Sequence, residues 1–198
     1  MRLILLVITL SLSGLISMRA HAVAQTVPLC LVGFCLDSKN LPTQREVRSR
    51  FGGSNQKSSH WGTKAYCYKF ILKGQKARYG QFEFKMDSTN DWRLVTIRLS
   101  QESLCVDPHV VQIKSAFSMN EGISLGCDEA EMKRLYGQPT YVINQPRGAL
   151  VRDFFGGISK TKVDVINQYI SGDEKDLSSA RFYFSNKKLV GIEMSVDE

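Results

Sequence analysis

The run Asp128-Glu129-Ala130-Glu131-Met132-Lys133-Arg134-Leu135-Tyr136-Gly137-Gln138-Pro139 carries the signals of a complete short helix. Asp128 can accept bonds from the free amides of a first turn, and Glu131 stands three residues on, as a capping box requires. Met132, Leu135 and Tyr136 fall on one face at helical spacing. Gly137 supplies a C-terminal stop and Pro139 forbids continuation. Thr43-Gln44-Arg45-Glu46-Val47-Arg48-Ser49-Arg50-Phe51-Gly52, which starts 85 positions earlier, has the same grammar. Thr43 matches Asp128, Glu46 matches Glu131, Val47 matches Met132 and Phe51 matches Tyr136.

Strand patterns follow each helix. Ala65-Tyr66-Cys67-Tyr68-Lys69-Phe70-Ile71 is rich in β-formers, with three aromatics on one face. Gln81-Phe82-Glu83-Phe84-Lys85-Met86 alternates, so its aromatics point one way and its charges the other. Leu94 to Leu99 continues the meander after a loop at Asp87–Asp91. In the second half Val110 to Phe117 reads as a helix, Tyr141–Ile143 and Ala149–Phe155 as strands about Pro146-Arg147-Gly148, and Val163 to Ile170 as a strand or a helix. Ala180 to Ser185 alternates as Gln81 to Met86 does, Asn186–Lys188 is a tight turn, and Leu189 to Met194 closes the sheet. Val27 to Leu36 is a short helix or an extended lead-in. The expectation is an α+β fold of two tandem repeats, residues 25–104 and 105–198, each with short helices packed on one face of an antiparallel β-meander.

The start of the chain sets the expected address. Arg2, an apolar run from Leu3 to Ile16 and small residues at Ala20-His21-Ala22 and Ala22-Val23-Ala24 form a signal peptide over residues 1–24. The run is short for a membrane span and no later segment replaces it. A soluble exported protein, periplasmic or secreted and monomeric, is expected. Its 24 basic and 19 acidic side chains would leave a net charge of +5 after removal of Arg2 and Arg19. That charge is spread along the chain, no basic-aromatic motif accompanies it, and nucleic acid is not an expected partner. Five cysteines suit an oxidising compartment and leave one unpaired in a monomer. The expected pairs are Cys30 with Cys35 and Cys105 with Cys127, and Cys67 is a buried thiol or a bridge. Neither a CxxC nor a zinc spacing is present, so no metal or cofactor is expected.

Leu125-Gly126, Glu131-Met132, Tyr136-Gly137 and Pro139, followed by Phe182/Phe184 and Leu189/Ile192, resemble the SmpA/OmlA (BamE-like) module. Two such modules in one exported chain with cysteine bridges are similar in architecture to the β-lactamase inhibitor proteins. That resemblance implies a binding module rather than an enzyme, and inhibition of a β-lactamase is one special case of it.

The residues themselves mark no catalytic set. No G-x-S-x-G elbow occurs, and His60, His109 and Asp173-Glu174-Lys175-Asp176 match no catalytic or calcium pattern. If helices cover one sheet face with Phe82, Phe84, Val95, Ile97, Phe182, Phe184, Val190 and Ile192, the other displays Glu83, Lys85, Thr96, Arg98, Tyr183 and Glu193. Tyr66, Tyr68 and Phe70 join that second face or belong to the core; both remain open. Trp92 and Trp61 are further exposed-aromatic candidates. Aromatic and charged side chains on a sheet make a protein-binding surface. The expected function is therefore capture of another envelope or extracellular protein through Tyr66, Tyr68, Glu83, Lys85, Trp92, Thr96, Arg98, Tyr183 and Glu193. The alternatives are an envelope-associated structural or lipid-surface-binding protein, or an enzyme without a recognisable motif.

Overall fold

The computed structural model describes residues 30–37, 39–54, 57–58, 62–114, 123–145, 161–171 and 178–196. The expected signal peptide, His60, Trp61, the Pro146–Gly148 turn, the 149–155 strand and the 173–176 acidic run lie outside them.

Strands dominate, and the expected pair of α+β repeats is not what forms. A hairpin of β1 (Cys30–Leu31) and β2 (Phe34–Cys35) precedes helix α1 (Gln44–Phe51). Then come β3 (Lys57–Ser58), β4 (Thr63–Leu72), β5 (Arg78–Met86), β6 (Trp92–Ser100) and β7 (His109–Ile113). Helix α2 (Glu129–Tyr136), β8 (Tyr141–Asn144), β9 (Val165–Ser171), β10 (Ser178–Ser185) and β11 (Lys188–Val196) complete the described elements. The strands from β3 onward make one nine-stranded sheet in the order β3-β4-β5-β6-β11-β10-β9-β8, with β7 added alongside β4. The last strand, β11, pairs antiparallel with β6, so the two meanders fuse edge to edge. Strand β7 lies beyond the expected boundary at residue 104, yet it pairs in parallel with β4 of the first half. Its segment is β-branched at Val110, Val111 and Ile113, and pairing to β4 overrides the helical spacing read from it.

Both helices cover the same face, and each buries a narrow apolar stripe against it. Val47 and Phe51 of α1 and Met132 and Tyr136 of α2 are buried. Phe51 packs against Tyr68, Phe70 and Phe82, and Tyr136 against Tyr169 and Phe182. Each helix start is pinned to the sheet, through bridges from Thr43 to Arg93 and from Asp128 to Lys188. The main core is therefore single and runs under both helices from Leu31 to Val196.

The capping signals divide. Thr43 and Glu46 form the expected capping box, with the Thr43 amide donating to Glu46 at 2.6 Å. That bond from the Thr43 backbone holds the Glu46 carboxyl below the usual range. Asp128 makes no capping bond, because Lys188 of the neighbouring strand takes its carboxylate at 2.9 Å.

The disulfides also divide. Cys30 bonds Cys35, as expected, but Cys105 bonds Cys67 and Cys127 is free. The segment after β6 crosses the face opposite the helices, which brings Cys105 onto Cys67 of β4. Cys127 packs instead against the helix-side core.

Candidate functional site

The register aligns side chains across the uncovered face into transverse rows. Tyr79, Ser100, Gly191, Tyr183, Ile166 and Ile143 form one row, read through paired positions on β5, β6, β11, β10, β9 and β8. Cys67, Leu104, Cys105, Val163 and Val190 close over it as a second, smaller apolar cluster. The bulge between Tyr183 and Phe184 sends Val190 to this side, whereas alternation alone assigns it to the helix side.

The adjacent row is polar from β5 to β8: Gln81, Arg98, Glu193, Arg181 and Gln168, finishing at Tyr141. Arg98 donates to Glu193 at 2.6 Å and to Glu83 at 2.5 Å. The other oxygen of Glu193 takes Arg181 at 2.9 Å, and Gln81 donates to Glu83 at 3.1 Å. The Glu193 side chain is only 8% exposed, and Arg98 18%. Burial works against the Arg98 charge, but the Glu83 and Glu193 carboxylates outweigh it and hold the guanidinium above its ordinary range. Burial, and then the Glu193 carboxylate, push the Tyr183 phenol up, so that hydroxyl stays protonated. A third row, Glu83, Thr96, Ser195, Ser179 and Ile170, flanks the ladder, and the Ser179 and Ser195 hydroxyls bond at 2.9 Å.

Five basic side chains (Lys69, Lys85, Arg93, Arg98, Arg181) share this face by register with the carboxylates of Glu83 and Glu193, and Arg93 is paired with Asp87 and Asp91 of the adjoining hairpin loop. Of these, Lys85 is exposed and Lys69 and Arg181 are half-buried. Both oxygens of Glu193 accept guanidinium donors, and Oε1 of Glu83 accepts from Arg98 and Gln81. Among the described residues no group of three or more His, Cys, Asp or Glu side chains could hold a metal ion.

Of the nine sequence candidates, Glu83, Lys85, Thr96, Arg98, Tyr183 and Glu193 share the open face, though Tyr183 is buried in the second apolar cluster. Tyr66 and Tyr68 are corrected to core: they are 3% and 0% exposed beneath α1. Tyr68 donates to the Gly52 carbonyl at 3.1 Å, and Tyr66 bonds Gln44. Trp92 is also on the helix side, half-buried, with the Lys64 ammonium 3.9 Å from its ring centre. It borders a groove shared with Thr43, Gln44, Arg45, Arg48 and Asp91. Arg181, Gln81 and Gln168 complete the ladder and were not singled out in sequence, although alternation beside Phe182 puts Arg181 on the charged face.

No family model, curated protein or solved structure matches the chain. Among the described residues no helix is long and apolar enough to cross a membrane.

Proposed function

We propose that this is an exported protein-binding module whose open sheet face captures an acidic surface on another envelope or extracellular protein. The observation that carries this reading is the ladder. Its arginines and carboxylates are fixed by mutual bonds on a continuous sheet, and Lys69 and Lys85 add positive charge beside them. Such a surface loses little side-chain entropy on binding and attracts a partner of opposite sign. Two disulfides support placement in an oxidising compartment.

The test uses the oxidised chain from residue 25 as bait in an envelope extract, beside a Lys69→Glu/Lys85→Glu variant. The substitutions replace two positive charges on that face with two negative ones. A stoichiometric protein retained by the original chain and reduced about tenfold on the variant is expected. Equal retention by both baits removes the face from the interaction. Charge-dependent retention on phosphatidylglycerol vesicles, with no protein captured in the same manner, replaces the reading with lipid-surface binding.

A further inference from the structure

A small cavity of about 130 Å³ lies on the helix side, at the end of the sheet where β7 joins β4. Phe70, Leu72, Leu99, Ile113 and Leu125 supply apolar walls, and Gln75, Lys76 and Ser124 supply polar groups. Arg78 enters the same cavity from β5, where it pairs across the ladder with Phe70. Register therefore puts a cation on a face otherwise occupied by Phe70, Phe82 and Leu99.

The guanidinium has five N–H donors, yet its bond among the described residues is a long one, from Nη1 to the Ala77 carbonyl at 3.5 Å. No carboxylate among them pairs with it. Every other sheet arginine is matched: Arg93 by Asp87 and Asp91, Arg98 by Glu83 and Glu193, and Arg181 by Glu193. Partial burial without a counter-charge pulls the Arg78 pKa down. A cation against apolar walls is costly unless something supplies the opposite charge.

The fit to a ligand follows from size. A cavity of about 150 Å³ lined by apolar side chains accommodates benzene, so this one suits a tail of about five or six carbons. We infer that the cavity binds a small monocarboxylate with a short aliphatic or aromatic tail. Its carboxylate pairs with Arg78, and its tail lies against Phe70, Leu99, Ile113 and Leu125. Gly80 helps shape the wall, since a Cβ there would stand 2.7 Å from the Phe70 ring. The site lies on the opposite side of the sheet from the charged ladder and does not depend on it.

Amide NMR titration of the oxidised chain with hexanoate, and separately with hexan-1-ol, tests the inference. Saturable shifts are expected at residues 70–72, 75–78, 113 and 123–125, with hexanoate binding about tenfold or more tighter than the alcohol. Arg78→Met should remove the difference between the two probes, and Arg78→Lys should keep part of it. Equal affinity of the two probes for the unaltered protein overturns the inference. So does a carboxylate preference that survives Arg78→Met, absence of binding, or shifts confined to other residues. Should Arg78→Met fail to fold, the comparison of hexanoate with hexan-1-ol in the unaltered protein decides alone.

Discussion

Tyr68 and Arg98 stand in neighbouring parts of one sheet but on opposite sides, and their substitutions should act on different properties. Tyr68 is fully buried against Phe51, Phe70 and Phe82. Tyr68→Ala opens a cavity and strands the Gly52 carbonyl, at an expected cost of about 3 to 5 kcal/mol in urea unfolding. Sequence alternation showed that Tyr66, Tyr68 and Phe70 share a face. It did not show which face, because that depends on the register of β4 against Phe82 and Phe84. The same limit hid Arg181, whose importance comes from standing beside Glu193 on another strand. Cys127 tests the helix side independently. Burial, then the Glu131 carboxylate, pushes its thiol up to about 11. A raised thiol pKa means the fold favours the protonated form. The associated stability is present below the unfolded value and is lost as pH rises toward about 11. At pH 8 the thiolate population should fall about a hundredfold relative to an unperturbed thiol, and iodoacetamide alkylation of native protein should slow accordingly. Alkylation at the rate of the unfolded chain contradicts that placement.

The elements show why two similar helix sequences do not have equivalent caps. Thr43 is held in a reciprocal capping box, whereas Asp128 faces Lys188 and leaves its own helix start uncapped by a side chain. Thr43→Ala should therefore cost about 1 kcal/mol. Asp128→Ala should cost less, because it removes an exposed ion pair rather than a cap. Chemical denaturation of both variants checks the order. The cysteine bridges separate by loop length. Removing Cys67–Cys105, which spans 38 residues, should cost about 4 kcal/mol, against about 2 kcal/mol for Cys30–Cys35, which spans 5. Paired serine variants measure the difference by the same method. The short bridge joins cysteines five residues apart, but the β1–β2 hairpin that brings them together was read in the sequence only as a short helix or an extended lead-in. The long bridge was not legible, because it depends on residues 101–108 crossing the open face. Likewise β7 was hidden because its apolar residues, spaced three apart, suit a helix as well as an exposed edge strand.

For the whole molecule, fusion of the two meanders at β6 and β11 determines what can be displayed. With both helices on one side, the other side carries an apolar row at one end and a charge ladder beside it. The individual strands were largely readable from alternation, but their joining into one sheet was not. Two copies of a helix-and-meander pattern say nothing of how their edges meet, and here the Arg98–Glu193 pair lies across that junction. The expectation of two separate repeats failed at this level, while the polar side of each strand was assigned correctly for most of its charged residues.

Titration calorimetry with the captured partner tests the ladder's proposed role most directly. The unaltered chain and the Lys69→Glu/Lys85→Glu variant are compared at low and physiological salt, with melting temperatures measured alongside. The prediction is an affinity about tenfold weaker for the variant, a loss that shrinks as salt rises, and a nearly unchanged melting temperature. Equal affinities for the two proteins at both salt concentrations would contradict the open face as the binding surface.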